Sequence, residues 1–242
     1  MEANTELAQS LFKQNRYQET IDSCHEILAI DHKSLEALKL IAKSFLALRN
    51  IEDARSYLNQ AINIKPDDYE VIKDLGNSYQ AVGDVNTAKN YYQKAIEINP
   101  TYSPALTNLG ILELKTANKK KGLSLLIKAT EYDPQSASTW KNLANAYFQL
   151  GKHQEAETSC QKAIALNPNL YNSHYLLSTI LIEQKKLQEA KLHLIKTIEL
   201  KPDLAEAHFQ LGGLLQDLGQ LQEAAQSINK AIEHNPNQFH AH

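Results

Sequence analysis

Apolar residues fall into short, phased groups along this chain. Trp140, Leu143, Ala144 and Tyr147 are spaced 0, +3, +4 and +7, the interval that places them on one face of a helix. Gly151 follows and predicts a helix end, because glycine takes the left-handed C-terminal conformation. Ala156, Cys160, Ala163 and Ile164 then define one face of a second helix, and Asn167-Pro168 stops it. No segment alternates apolar and polar residues with the period of two that a half-buried strand requires. The expectation is therefore all-α.

The helix pair recurs. Pro66, Pro100, Pro134, Pro168, Pro202 and Pro236 stand 34 residues apart, and seven gapless blocks can be laid out as 1–34, 35–68, 69–102, 103–136, 137–170, 171–204 and 205–238. Position 7 of the block reads Leu7, Ile41, Leu75, Leu109, Leu143, Leu177 and Leu211. Position 8 is always small: Ala8, Ala42, Gly76, Gly110, Ala144, Ser178 and Gly212. Positions 20 and 27 are also mostly small, Ala156 and Ala163 being typical. Small columns let two helix backbones approach, and the large apolar columns fill the space between turns. Residues 239–242 restart the pattern, as though an eighth block were cut off, so the chain is expected to be the N-terminal part of a longer protein.

These columns resemble the tetratricopeptide repeat family. Leu75, Gly76, Tyr79, Gly83, Ala88, Tyr92, Ala95 and Pro100 carry the pattern through block three, while block one departs from it at Asn4, Asn15, Thr20, Ile27 and His32. The resemblance implies an α-solenoid: a right-handed superhelix of seven antiparallel helix-turn-helix units, forming one array over 1–238. It also implies that the first helix of each pair lines a concave groove, with contact residues mainly at positions 2, 5, 6, 9, 12 and 13.

Those columns supply the candidate site. Lys39, Lys43, Lys73 and Lys141 would offer point charges to carboxylates, beside Asn77, Asn108, Asn142 and Asn145, whose amides both donate and accept. Ile111, Leu114, Phe148, Tyr175, Ile182 and Phe209 would form an apolar strip not required by the helix-pair core. Within the family, some members clamp acidic chaperone tails. Lys73, Asn77 and Asn108 match the start of that clamp, but Ser138 and Asn142 stand where it needs basic residues. The expected function is a non-catalytic scaffold that binds a protein or peptide, with an acidic group on the ligand. The alternatives are the recognition arm of a larger enzyme such as a glycosyltransferase, and a self-assembling scaffold whose open C-terminal end associates near Ile228 and Ile232.

Composition narrows this little. The 242 residues are 43% hydrophobic and 22% charged, with a net charge of −3, which disfavours phosphate-driven binding of nucleic acid. No run of apolar residues reaches the length of a membrane span, and no basic-then-apolar leader opens the chain. Two cysteines cannot make a disulfide framework; Cys24 and Cys160, both at position 24, are expected to be core fillers in a reducing, cytoplasmic setting. No phosphate loop, zinc-hydrolase motif or Cys pair with metal spacing occurs, so no cofactor, metal or catalytic residue is expected. His174 and His208 stand at position 4, where packing between helices is the expectation. Lys119-Lys120-Lys121 opens a helix against its dipole; it reads as a solvated run, with an acidic partner as the rival.

Overall fold

The computed structural model describes residues 2–116 and 118–236. Residues 239–242, the expected start of a further block, lie outside the described residues. The chain divides into two compact units, 1–116 and 117–242. The first holds α1 (Glu2–Lys13), α2 (Tyr17–Ile30), α3 (Leu35–Ala47), α4 (Ile51–Ile64), α5 (Tyr69–Ala81), α6 (Val85–Ile98) and α7 (Ser103–Lys115). The second holds α8 (Lys119–Tyr132), α9 (Ala137–Gln149), α10 (His153–Leu166), α11 (Tyr171–Glu183), α12 (Leu187–Leu200), α13 (Ala205–Asp217) and α14 (Leu221–His234). There is no strand among the described residues. From α3 onward, odd and even helices each begin at 34-residue intervals, at the block positions the periodicity predicts. The architecture is an all-α helical-repeat solenoid, with consecutive helices packed as antiparallel pairs within each unit.

Two local devices set the pairs. The first is the turn at position 15, where Gly83, Gly151 and Gly219 have φ of 82°, 70° and 75°. Asn15, Arg49 and Lys185 occupy the same position with φ of 61°, 60° and 61°, so the turn forms even where a side chain makes it costly. Each is closed by a six-residue hydrogen bond: Lys152 N to Tyr147 O at 2.9 Å, and Lys186 N to Leu181 O at 2.9 Å.

The second device is the small residue at position 8. A Cβ on Gly76 would lie 2.6 Å from Tyr92 Cε1, and one on Gly212 would lie 2.5 Å from Ile228 Cγ1. Glycine is thus the counterpart of a bulky residue at position 24, and a methyl group there would force the facing side chain out. Ile228 is half-buried against its own partner helix, and Ile232 is half-buried as well.

Cys24 and Cys160 are buried and unpaired. Burial pushes the Cys160 thiol up to about 12, and Cys24 up to about 11, so both are inert core fillers. His174 and His208 are also buried, as position 4 predicts. His174 Nε2 donates to Pro168 O at 3.0 Å and His208 Nε2 to Pro202 O at 2.9 Å, while Trp140 Nε1 makes the same bond to Pro134 O at 2.9 Å. Because a carbonyl only accepts, His174 carries its proton on Nε2, and its Nδ1 accepts from His193 Nδ1 at 3.0 Å.

Candidate functional site

In the first unit, the polar residues of α3, α5 and α7 are bonded to one another in two clusters. Lys39 is buried and its Nζ lies 2.6 Å from Glu70 Oε2, 3.6 Å from Asp68 Oδ2 and 3.7 Å from Glu36 Oε1. Lys43 reaches the same Glu70 at 3.8 Å. Burial opposes the charge on Lys39, but its hydrogen bond to Glu70 and the three carboxylates outweigh it, so the ammonium is held above its usual range. The bond from Lys39 correspondingly pulls Glu70 down, against its partial burial and with help from Lys43 and Lys73.

Farther along, Lys73 donates to Asp74 Oδ1, which also accepts from Asn77 Nδ2 at 3.0 Å. Asn77 Oδ1 accepts from Asn108 Nδ2 and from the Tyr92 hydroxyl, each at 2.8 Å. Each of the three predicted lysines of this unit is therefore already paired with a carboxylate of the chain, and Asn77 is engaged through both ends of its amide. Ile111 and Leu114, on α7, are half-buried.

The second unit differs. Lys141, Asn142, Asn145, Phe148 and Tyr175 line one cleft of about 450 Å³ between α9 and α11. Asn172, Leu176, Thr179 and Gln210 complete its wall. Lys141 is half-buried, and its ammonium has no ion-pair partner among the described residues; its backbone carbonyl accepts from Asn145 Nδ2 at 3.0 Å. Gln210 Nε2 donates to Thr179 Oγ1 at 3.1 Å, which leaves Gln210 Oε1 buried without a hydrogen-bond partner among the described residues. Such an acceptor carries an unmet desolvation cost that a ligand N–H would relieve. Phe209, on α13, is 49% exposed and does not line this cleft. Ile182 packs against the apolar core of the unit.

A spacing explains both arrangements. Lys39 with Glu70, Asn77 with Asn108 and Thr179 with Gln210 are each 31 residues apart, one rung between neighbouring odd-numbered helices. Applied to Lys141, the rung falls on Asn172, a neutral residue. Reading each column down the repeats places Glu36 and Glu70 in the groove but misses Asn172 and the pairing of those acids with Lys39 and Lys43. The offset of 31 is the signal that finds Asn172 and the Lys39–Glu70 pair.

Helix pairs repeated in phase, presenting polar columns on one helix of each pair, define a helical-repeat binding protein. The family model of the Cilia and flagella-associated protein 70 C-terminal domain matches residues 68–242, and that of the Tetratricopeptide repeat matches residues 11–76. The chain belongs to the tetratricopeptide repeat family. No curated protein matches the sequence. Among solved structures, the chain is similar to MamA, with 26% identity over 67% of this chain and 95% of that one and a TM-score of 0.61. The Pseudomonas aeruginosa PilF structure has a TM-score of 0.78 over 84% of this chain and 92% of that one, at 18% identity. YrrB, described as a TPR protein with an unusual peptide-binding site, has a TM-score of 0.62 and 20% identity over 75% of this chain and 94% of that one. Among the described residues no helix is long and apolar enough to cross a membrane.

Proposed function

We propose that the chain is a non-catalytic interaction scaffold, its residues 1–238 forming seven repeats of one array, and that it holds an extended segment of a partner protein against its odd-numbered helices. The observation that carries this reading is the cleft around Lys141. There an unpaired ammonium, three asparagine amides, two aromatic rings and an unsatisfied Gln210 acceptor converge within one cleft. An acidic side chain or terminal carboxylate would pair with Lys141, and the amides would bond the ligand backbone. Phe148 and Tyr175 supply rigid apolar contact at little entropic cost. The peptide-binding site announced for YrrB supports the same use of a related fold.

Fluorescence anisotropy with a library of short extended peptides, each carrying one glutamate beside an aliphatic residue, tests this. Wild-type protein should bind a subset, and Lys141→Glu should weaken those complexes by about tenfold to a hundredfold, roughly 1.4–2.8 kcal/mol. Peptides that bind both proteins equally would contradict the assignment.

A further inference from the structure

A second surface lies on α8. Its residues Leu123 and Ile127, four apart on one helix face, join Leu150 from the α9–α10 turn as the apolar floor of a cleft of about 590 Å³. Lys119, Lys120, Lys128 and Lys152 rim it, against a single acid, Glu131. Lys152 pairs with exposed Glu155 at 3.3 Å, but Lys119, Lys120 and Lys128 are exposed and have no ion-pair partner among the described residues. Ile127 and Glu131 also line an adjoining cleft of about 360 Å³ that reaches Trp140 and Tyr147. The groove is therefore extended, not a point site.

The charge is placed against local preference. Helices α2, α4, α10, α12 and α14 each carry an acid in the first turn; α6 and α8 have none, and of these two only α8 places lysines there. Lysines there oppose the helix dipole, so the fold gains nothing from them. We propose that this groove is a docking site for an acidic amphipathic helix of a partner protein, separate from the cleft around Lys141. Charge complementarity selects an acidic occupant, and the Leu123–Ile127–Leu150 floor selects one with an apolar stripe. An inorganic anion would leave that floor unused. A bilayer surface would need the apolar residues to project, whereas all three are half-buried at the bottom of a concavity.

The probe is a labelled helical peptide of about 16 residues, with leucines on one face flanked by glutamates. Anisotropy with the full chain should show saturable binding that weakens at high salt and is lost when glutamine replaces the glutamates. The K119E/K120E/K128E variant changes only exposed side chains and places two of its three acids in the first turn, where the dipole of α8 favours them, so it should remain folded by circular dichroism. It should bind the probe about tenfold or more weakly, and it should bind a lysine-for-glutamate version of the probe that wild type does not. Lys141→Glu should leave probe binding unchanged, which keeps the outcome distinct from the peptide cleft. The proposal is overturned by a folded wild type that shows no saturable binding, by equal binding in the triple variant, or by anionic phosphatidylserine vesicles competing the probe away.

Discussion

The two units carry the same family columns and opposite electrostatics. In the first, Lys39 sits at position 5 with half-buried Glu70 one rung away, and Lys39 itself is buried among further acids. In the second, Lys141 sits at the same position 5 with Asn172 one rung away, and its charge is left for something else. A lysine in a groove column is therefore not by itself a ligand contact. What decides is whether a carboxylate of the chain lies within reach. Glu70, 31 positions on, staples Lys39 to the next repeat, and the adjacent Asp74 holds Lys73, whose own residue 31 positions on is Pro104; Lys141 has no such acid among the described residues.

The largest effect should come from breaking the staple. Glu70→Gln leaves Lys39 buried with its best partner gone, so the first unit should lose about 1–3 kcal/mol, the lower end reflecting the partial exposure of Glu70. The only tryptophan, Trp140, lies in the second unit. Urea unfolding followed by far-UV circular dichroism should shift more than the same titration followed by Trp140 fluorescence. Equal shifts, or none, would remove the contrast between the units.

Next in size is the converse change. Asn172→Glu builds in the second unit the rung that the first already has, so it should neutralise Lys141 and weaken acidic peptides by about 1–1.5 kcal/mol. Affinity for a neutral peptide that still occupies the cleft should change little, which isothermal titration calorimetry can check on the same preparation.

The smallest effect separates the units by acidity. Burial, then the neighbouring His174, holds His193 below its ordinary value of 6.5, with Glu189 opposing. A group depressed on folding binds its proton more readily when unfolded, so the second unit should lose stability as pH falls from about 6.5 toward the folded value. Glu70 is also depressed, by its bond from Lys39, but its ordinary value is 4.5, so the first unit should keep that contribution until pH falls below about 4.5. Between pH 7 and 5.5 the urea midpoint read at Trp140 should fall, and His193→Gln should flatten the dependence. A midpoint that does not move over that interval would show that the His174–His193 contact imposes no penalty.

The helices were legible because a column repeated along the chain averages over local noise. Position 8 alone announces a close helix crossing, and Gly76 and Gly212 meet Tyr92 and Ile228 there. The period locates the turn in every block, but its left-handed conformation was legible only where glycine marks it. Asn15, Arg49 and Lys185 adopt the same left-handed conformation because the flanking helices impose it, and no residue preference reveals that. The groove was the least legible part. The candidate residues lie on odd-numbered helices, yet whether Lys39 or Asn77 is available depends on pairs between repeats, and such pairs cannot be read one column at a time. Ile228, expected near a self-association contact of the last block, is half-buried, and the missing side chain of Gly212 gives it a seat within its own helix pair.

The bonds from Trp140, His174 and His208 to the proline carbonyls six residues upstream have a mechanical consequence. Each ties the first helix of one repeat to the end of the repeat before it. A joint held by a directional bond resists bending as well as separation. A joint filled only by an aliphatic side chain, as Leu38 fills the equivalent position between the first two blocks, slides until packing is lost. Ile72 and Leu106 are aliphatic too, but there the Lys39–Glu70 pair and the Asn77–Asn108 bond supply the direction. Pulled between its ends in an optical trap, the protein should stretch first through the joint at Leu38. The clefts around Lys141 and on α8 would then keep their shape under loads that already strain the first unit.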